Sequence, residues 1–121
     1  MMGNPIYDKA LAFAIRTVNL YKYLSEEKHE LVMSKQLLRC GTSIGANVSE
    51  ALAAESDMDF VHKMAISQKE TKEVLYWLTL LCRTEYLTAT QHKSMEDDCH
   101  ELYKMITSII LSTKQKVNKK S

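Results

Sequence analysis

Residues that interrupt helices are almost missing from this sequence, which has one proline and three glycines in 121 residues. These two residues supply most tight turns, so a fold built on many β-hairpins is excluded and helices joined by short connectors are expected. The three cysteines, Cys40, Cys82 and Cys99, are odd in number and far apart. They lack the spacing of a metal-ligand set or a disulfide framework and read as small core residues of a cytosolic protein. A dominant charge is missing too: Lys plus Arg number 16, Asp plus Glu 15, and the net charge is +1. Such a balance gives no bulk attraction to nucleic acid or to an anionic membrane. No apolar run reaches the roughly 18 residues of a membrane span, and no basic-then-apolar start suggests a signal peptide. The expectation is a cytoplasmic protein without membrane contact.

Signatures of catalysis are absent as well. There is no Gly-x-Ser-x-Gly, P-loop or dinucleotide fingerprint. His29, His62, His92 and His100 are scattered, with no His-x-x-x-His pair to suit zinc. Ser43 and Ser67 have no histidine nearby to act as a base. A di-iron site requires two helical Glu-x-x-His motifs and two further glutamates. Glu26-Glu27-Lys28-His29 has that spacing but falls in a connector, and Asp97-Asp98-Cys99-His100 is a weak second copy. We therefore expect no enzymatic activity, no cofactor and no metal.

What is present is helical periodicity. Hydrophobic residues make up 45% and charged residues 26% of the chain, which are globular proportions, and the length suits one domain with its own core. Four helices are predicted, over about 5–24, 30–54, 57–85 and 89–117. In the first, Pro5 follows Asn4 as a cap, and Ile6, Ala10, Phe13, Thr17, Leu20 and Leu24 share a face. Leu11, Ile15 and Val18 form a second apolar strip on its other side. Ser25 to His29 is a polar connector. The second helix presents Leu37, Gly41, Ile44, Val48 and Leu52. Ser56 caps the third, with acidic residues in its first turn, and its stripe is Phe60, Met64, Val74, Trp77, Leu78 and Leu81. Thr88 or Thr90 caps the fourth, whose stripe is Met95, Cys99, Leu102, Ile106, Ile109, Thr113 and Val117. Its acidic block (Glu96, Asp97, Asp98, Glu101) comes early and its lysines come late, matching the macrodipole. The fold class is all-α, an antiparallel up-down-up-down four-helix bundle, with fraying expected from Val117 onward.

Some residues do not suit a plain bundle. Gly41 and Gly45 each cost about 1 kcal/mol against alanine in a helix. The second helix is therefore bent there, closely approached by another backbone, or shaped for a partner. Arg39, Ser43, Asn47 and Glu50 lie within roughly 80° of one another on that helix, opposite Ile44 and Val48. They are either a solvated face or a polar strip meeting another subunit or a ligand. On the third helix Lys63, Ser67 and Glu70 project with Phe60, Val74 and Leu78. A carboxylate on an apolar face must be paired or protonated, and Arg39 or Lys63, within or between chains, is the expected partner of Glu70. The second strip of helix 1 points to a subunit interface, because a four-helix monomer needs one apolar face per helix. Lys9, Arg16, Lys114, Lys116, Lys119 and Lys120 are ordinary solvated charges in a monomer. Repeated around a ring, they become candidate multivalent contacts to nucleic acid.

Two blocks carry a family resemblance. Arg39-Cys-Gly-Thr-Ser-Ile-Gly-Ala-Asn-Val-Ser-Glu-Ala51 resembles the Arg-Ser/Ala-Ala-Thr/Ser-Ser-Ile-x-Ala-Asn-Ile-Ala-Glu-Ala/Gly hallmark of the four-helix-bundle proteins encoded by intervening sequences in bacterial 23S ribosomal RNA genes. Ser56, Asp59-Phe60, Lys63-Met64, Ala65-Ile66, Lys69-Glu70 and Glu73 through Tyr76-Trp77-Leu78 are similar to the family's second block. The resemblance implies an antiparallel bundle that assembles as a closed homo-oligomeric ring, typically a pentamer, and no enzymatic activity. It also connects the chain to accessory proteins of diversity-generating retroelements, which are basic, bind RNA and contact a reverse transcriptase. Arg39, Ser43, Asn47, Glu50, Lys63 and Glu70 carry over as the signature and as binding or interface candidates. The chain departs from the family in having Gly41 and Gly45, which should loosen helix 2, and in its near-neutral charge. Two functions follow as expectations: an oligomeric scaffold that binds RNA, or a protein-binding adaptor that recruits a partner enzyme without touching nucleic acid.

Overall fold

The structure, a computed structural model, describes residues 3–120, with Lys120 described in its backbone alone. Four α-helices, α1 (Pro5–Glu26), α2 (Met33–Leu52), α3 (Asp57–Arg83) and α4 (Ala89–Lys120), account for most of them, and there is no strand among the described residues. Consecutive helices touch, and α1 closes the cycle by touching α4. The predicted faces form one core. Ile6, Ala10, Phe13, Thr17 and Leu24 of α1 are buried, as are Leu37, Ile44 and Val48 of α2, Met64, Val74 and Leu78 of α3, and Met95, Cys99, Leu102 and Ile106 of α4. Ile110 joins this core, in line with the i, i+4 continuation from Ile106.

The caps explain where the helices begin. The Asn4 side chain accepts from the Tyr7 amide at 3.1 Å, and that of Ser56 accepts from the Asp59 amide at 3.0 Å. Thr88, not Thr90, caps α4: its hydroxyl accepts from the Gln91 amide at 3.1 Å while the Gln91 side chain accepts from the Thr88 amide at 2.9 Å. This is a reciprocal capping box.

The start of α2 differs from expectation. Glu30 is not helical. It precedes α2 as a buried cap, its carboxylate accepting from the amides of Val32 and Met33 at 3.0 Å and of Ser34 at 2.7 Å. His29 before it adopts φ 54°, which breaks the chain direction so that the carboxylate can fold back over the orphan amides. Burial pushes the Glu30 carboxyl upward, but these amide bonds outweigh it and hold it below the usual carboxylate range.

Two further expectations are corrected. No acidic residue lies in the first turn of α4. The acidic block starts at Glu96, beyond the reach of the helix dipole, which fades within a turn. Nor does the helix end near Val117; it runs on to Lys120, where Lys116 reaches Asp57 of α3 at 3.7 Å.

The two glycines do not loosen α2, which is continuous through both. They let α1 approach. A Cβ on Gly41 would lie 2.5 Å from Thr17 Cγ2, and one on Gly45 would lie 3.5 Å from the Ala10 carbonyl oxygen. Of the three readings open from sequence, close approach by a neighbouring helix is the one realised, and that neighbour belongs to the same chain.

Candidate functional site

Helical spacing places Arg39, Ser43, Asn47 and Glu50 along one edge of α2, and this edge runs beside α3. Arg39 lies 3.5 Å from Glu70 and makes a closer ion pair with Glu73. The pairing expected for Glu70 therefore forms with Arg39, but the tighter partner is Glu73, which was not among the candidates. The signal for it was available: Glu73 lies three residues beyond Glu70 and so faces the same neighbour. Lys63, the other expected partner, pairs with Glu50 at 3.3 Å.

The uncharged members are satisfied within their own helix. Ser43 donates to the Arg39 carbonyl at 2.7 Å, and the Asn47 side-chain amide donates to the Ser43 carbonyl at 2.9 Å. Ser67 is fully buried and donates across the seam to the Ile44 carbonyl at 2.5 Å. This oxygen already serves the α2 ladder, so the extra bond ties α3 to the middle of α2. Trp77 Nε1 donates to Glu73 at 3.1 Å. The hydrogen bond from Arg39 and then that from Trp77 hold the Glu73 carboxyl below the usual range. The seam is thus an ion-paired and hydrogen-bonded network at moderate exposure. It contains no base beside a nucleophile, and among the described residues no group of three or more His, Cys, Asp or Glu could hold a metal.

The thiols offer no nucleophile in the core either. Cys40 and Cys99 are fully buried, and burial pushes each thiol up to about 12. A low-pKa, accessible thiolate is what reactive cysteines require.

The candidate nucleic-acid contacts fall into different surroundings. Lys9 pairs with Glu101 at 2.7 Å. Arg16 pairs with Asp98 at 2.6 Å and donates to the Ser94 hydroxyl at 2.8 Å. These two α1 cations are matched by the acidic block of α4. In the C-terminal group Lys116 is engaged with Asp57, Lys114 and Lys119 are exposed, and the Lys120 side chain lies outside the described residues. No helix among the described residues is long and apolar enough to cross a membrane.

No protein with a curated description matches this chain. Among solved structures, one of a protein of unknown function from the S23 ribosomal protein family of Bacteroides thetaiotaomicron is similar at 54% identity with a TM-score of 0.86. The match covers 87% of this chain and 97% of that one. The family model described as 23S rRNA-intervening sequence protein matches residues 3–108, a span that includes the α2–α3 seam and both hallmark blocks. Fold, seam and match agree, and the chain belongs to the 23S rRNA-intervening sequence protein family.

Proposed function

We propose that the chain is a non-enzymatic scaffold: an antiparallel, up-down-up-down four-helix bundle that assembles into a homopentameric ring and offers that ring to RNA in the cytoplasm. Contact pairs that run in opposite senses support the topology. Ala10 meets Gly45 while Thr17 meets Gly41; Glu50 meets Lys63 while Arg39 meets Glu70; Gln68 meets Thr107 while Thr79 meets His92.

The observation that carries the assembly is an exposed apolar strip on α1 beside an uncharged groove shared with α2. Leu11 and Ile15 are 45% and 54% exposed, with Val18 half-buried on the same strip. Beside them a groove is lined by Tyr7, Leu11 and Ala14 of α1 and by Thr42, Ala46 and Ser49 of α2, with no charged side chain. A face of this kind on the outside of a unit with a complete core is what a second copy of the chain would bury. A ring would then repeat each surface cation, converting weak single contacts into multivalent binding. The protein-adaptor reading is favoured by Leu31 and Val32, which are 54% and 74% exposed at the α1–α2 end.

Light scattering, with and without a short structured RNA, tests these readings. The monomer mass is 13.9 kDa, so a five-fold ring would have a mass of about 70 kDa. A ring that gains mass with RNA supports the proposal. A ring indifferent to RNA favours the adaptor, and a monomer refutes the assembly.

A further inference from the structure

A net charge of +1 conceals a sorting of charge over the surface. Arg39 draws Glu70 and Glu73 to the α2 side of α3. On α4, Asp98 and Glu101 turn toward Arg16 and Lys9 of α1, while Glu96 and Asp97 pair within the helix with His92 and Lys93. The outward stripe of α3 then carries no carboxylate of its own, with Glu73 at its edge within electrostatic reach of Lys69. It carries Lys69, Lys72, Tyr76 and Arg83, all exposed. Spacings of three, four and seven residues align them on one side over about 21 Å of helix. None of these cations has an ion-pair partner among the described residues. Across the seam, the Tyr103 ring of α4 lies 4.1 Å from the Lys72 ammonium.

Tyr76 distinguishes this face from an ordinary solvated one. It is 59% exposed, yet braced: Trp77 meets it edge-on with ring centroids 5.0 Å apart, and Trp77 is itself pinned by Glu73. A held, exposed aromatic ring among unpaired cations is the arrangement that binds single-stranded nucleic acid, bases stacking on the ring and phosphates meeting the cations. A duplex has no free base face to offer such a ring.

We infer that the outer α3–α4 face docks single-stranded RNA, with Tyr76 as the stacking platform and Lys69, Lys72 and Arg83 as phosphate contacts. The inference rests on the RNA reading above and moves the contact surface away from Lys9 and Arg16, whose charges α4 already neutralises.

The test is fluorescence anisotropy of the full chain with a fluorescein-labelled oligouridylate of about 16 nucleotides, titrated over a range of salt. The wild type should bind at low salt. Lys69→Gln, Lys72→Gln and Arg83→Gln combined should weaken binding and flatten the log–log salt slope by about 2. Tyr76→Ala should weaken it roughly tenfold. Lys69→Arg with Lys72→Arg should keep affinity, and Lys114→Gln with Lys119→Gln should change little. Circular dichroism and solution mass confirm that each variant is intact. Unchanged binding by the α3–α4 variants, together with loss in the C-terminal or the Lys9/Arg16 variants, overturns the location and leaves the RNA reading standing. No binding by the wild type at low salt overturns both.

Discussion

Replacing Gly41 by alanine should destabilise this protein, while the same change at Gly45, one turn further on, should not. Both substitutions gain about 1 kcal/mol of helix propensity, so any difference between them comes from packing. At Gly41 the added methyl would lie 2.5 Å from Thr17 Cγ2, 2.7 Å from Oγ1 and 3.1 Å from Cβ. Thr17 is fully buried and its hydroxyl donates to the Phe13 carbonyl at 2.9 Å. Rotating the side chain would therefore break that bond without moving Cβ, and α1 itself would have to shift. Overpacking of this kind costs about 1–3 kcal/mol, and the hydroxyl bond adds about 1 kcal/mol. Net of propensity, Gly41→Ala should lose about 1–3 kcal/mol, a fall in Tm of about 4–12 °C. At Gly45 the nearest atom would be the Ala10 carbonyl oxygen at 3.5 Å, an ordinary contact, so stability should hold or rise by up to about 1 kcal/mol. Urea unfolding followed by circular dichroism, at one fixed chain concentration because the proposed assembly would contribute to stability, measures both. Thr17→Ala removes two of the three clashing atoms and should recover about 1–2 kcal/mol in the double mutant. Equal losses at the two glycines, or a Gly41→Ala protein as stable as the wild type, would refute this account of how α1 and α2 meet.

Three other outcomes are expected. Glu30→Ala removes the acceptor for three amides at the start of α2 and should cost about 1–2 kcal/mol at neutral pH. Because the folded carboxyl lies below its ordinary range, this stability is present above the unfolded pKa of about 4.3 and lost as pH falls through the folded value; urea midpoints measured across acid pH should show the gap to the wild type closing there. Leu11→Asp with Ile15→Asp places charges on the proposed subunit face and should give a helical monomer by light scattering; an unchanged ring mass would exclude this face from the contact. Cys82, the half-buried thiol, should react first with a thiol reagent, while Cys40 and Cys99 react only on unfolding. Their folded pKa of about 12 lies above the ordinary thiol value of about 8.5. They therefore favour the fold fully below that value, and stability should decline as pH rises from there toward 12; a urea midpoint that does not fall between these limits would contradict the assignment.

Most of the core was legible in the sequence, because burial on a helix follows a 3.6-residue period that any apolar stripe displays. The α1 face from Ile6 to Leu24 and the α4 stripe from Met95 to Ile106 were read this way, and Thr17 was placed in the core although it is polar. The sequence makes Glu30 look like the first helical residue, because a cap that folds back from two residues upstream requires the positive φ at His29, which the sequence does not announce. The i+3 spacing makes Glu73 as eligible as Glu70, but no local pattern chooses between two glutamates on one side of a helix when their partner, Arg39, is 34 residues from Glu73.

The sequence by itself determined four helices, their order and which face of each is apolar, since propensity, capping and periodicity act over a few residues. Only the tertiary structure decided which charge meets which. Whether Arg16 is a free cation or the partner of Asp98, and whether Glu73 faces water or Arg39, depends on the rotation and register of packed neighbours. The same packing decided that Gly41 and Gly45 admit α1 rather than a stranger. It also left the outer face of α3 basic in a chain whose charges nearly cancel.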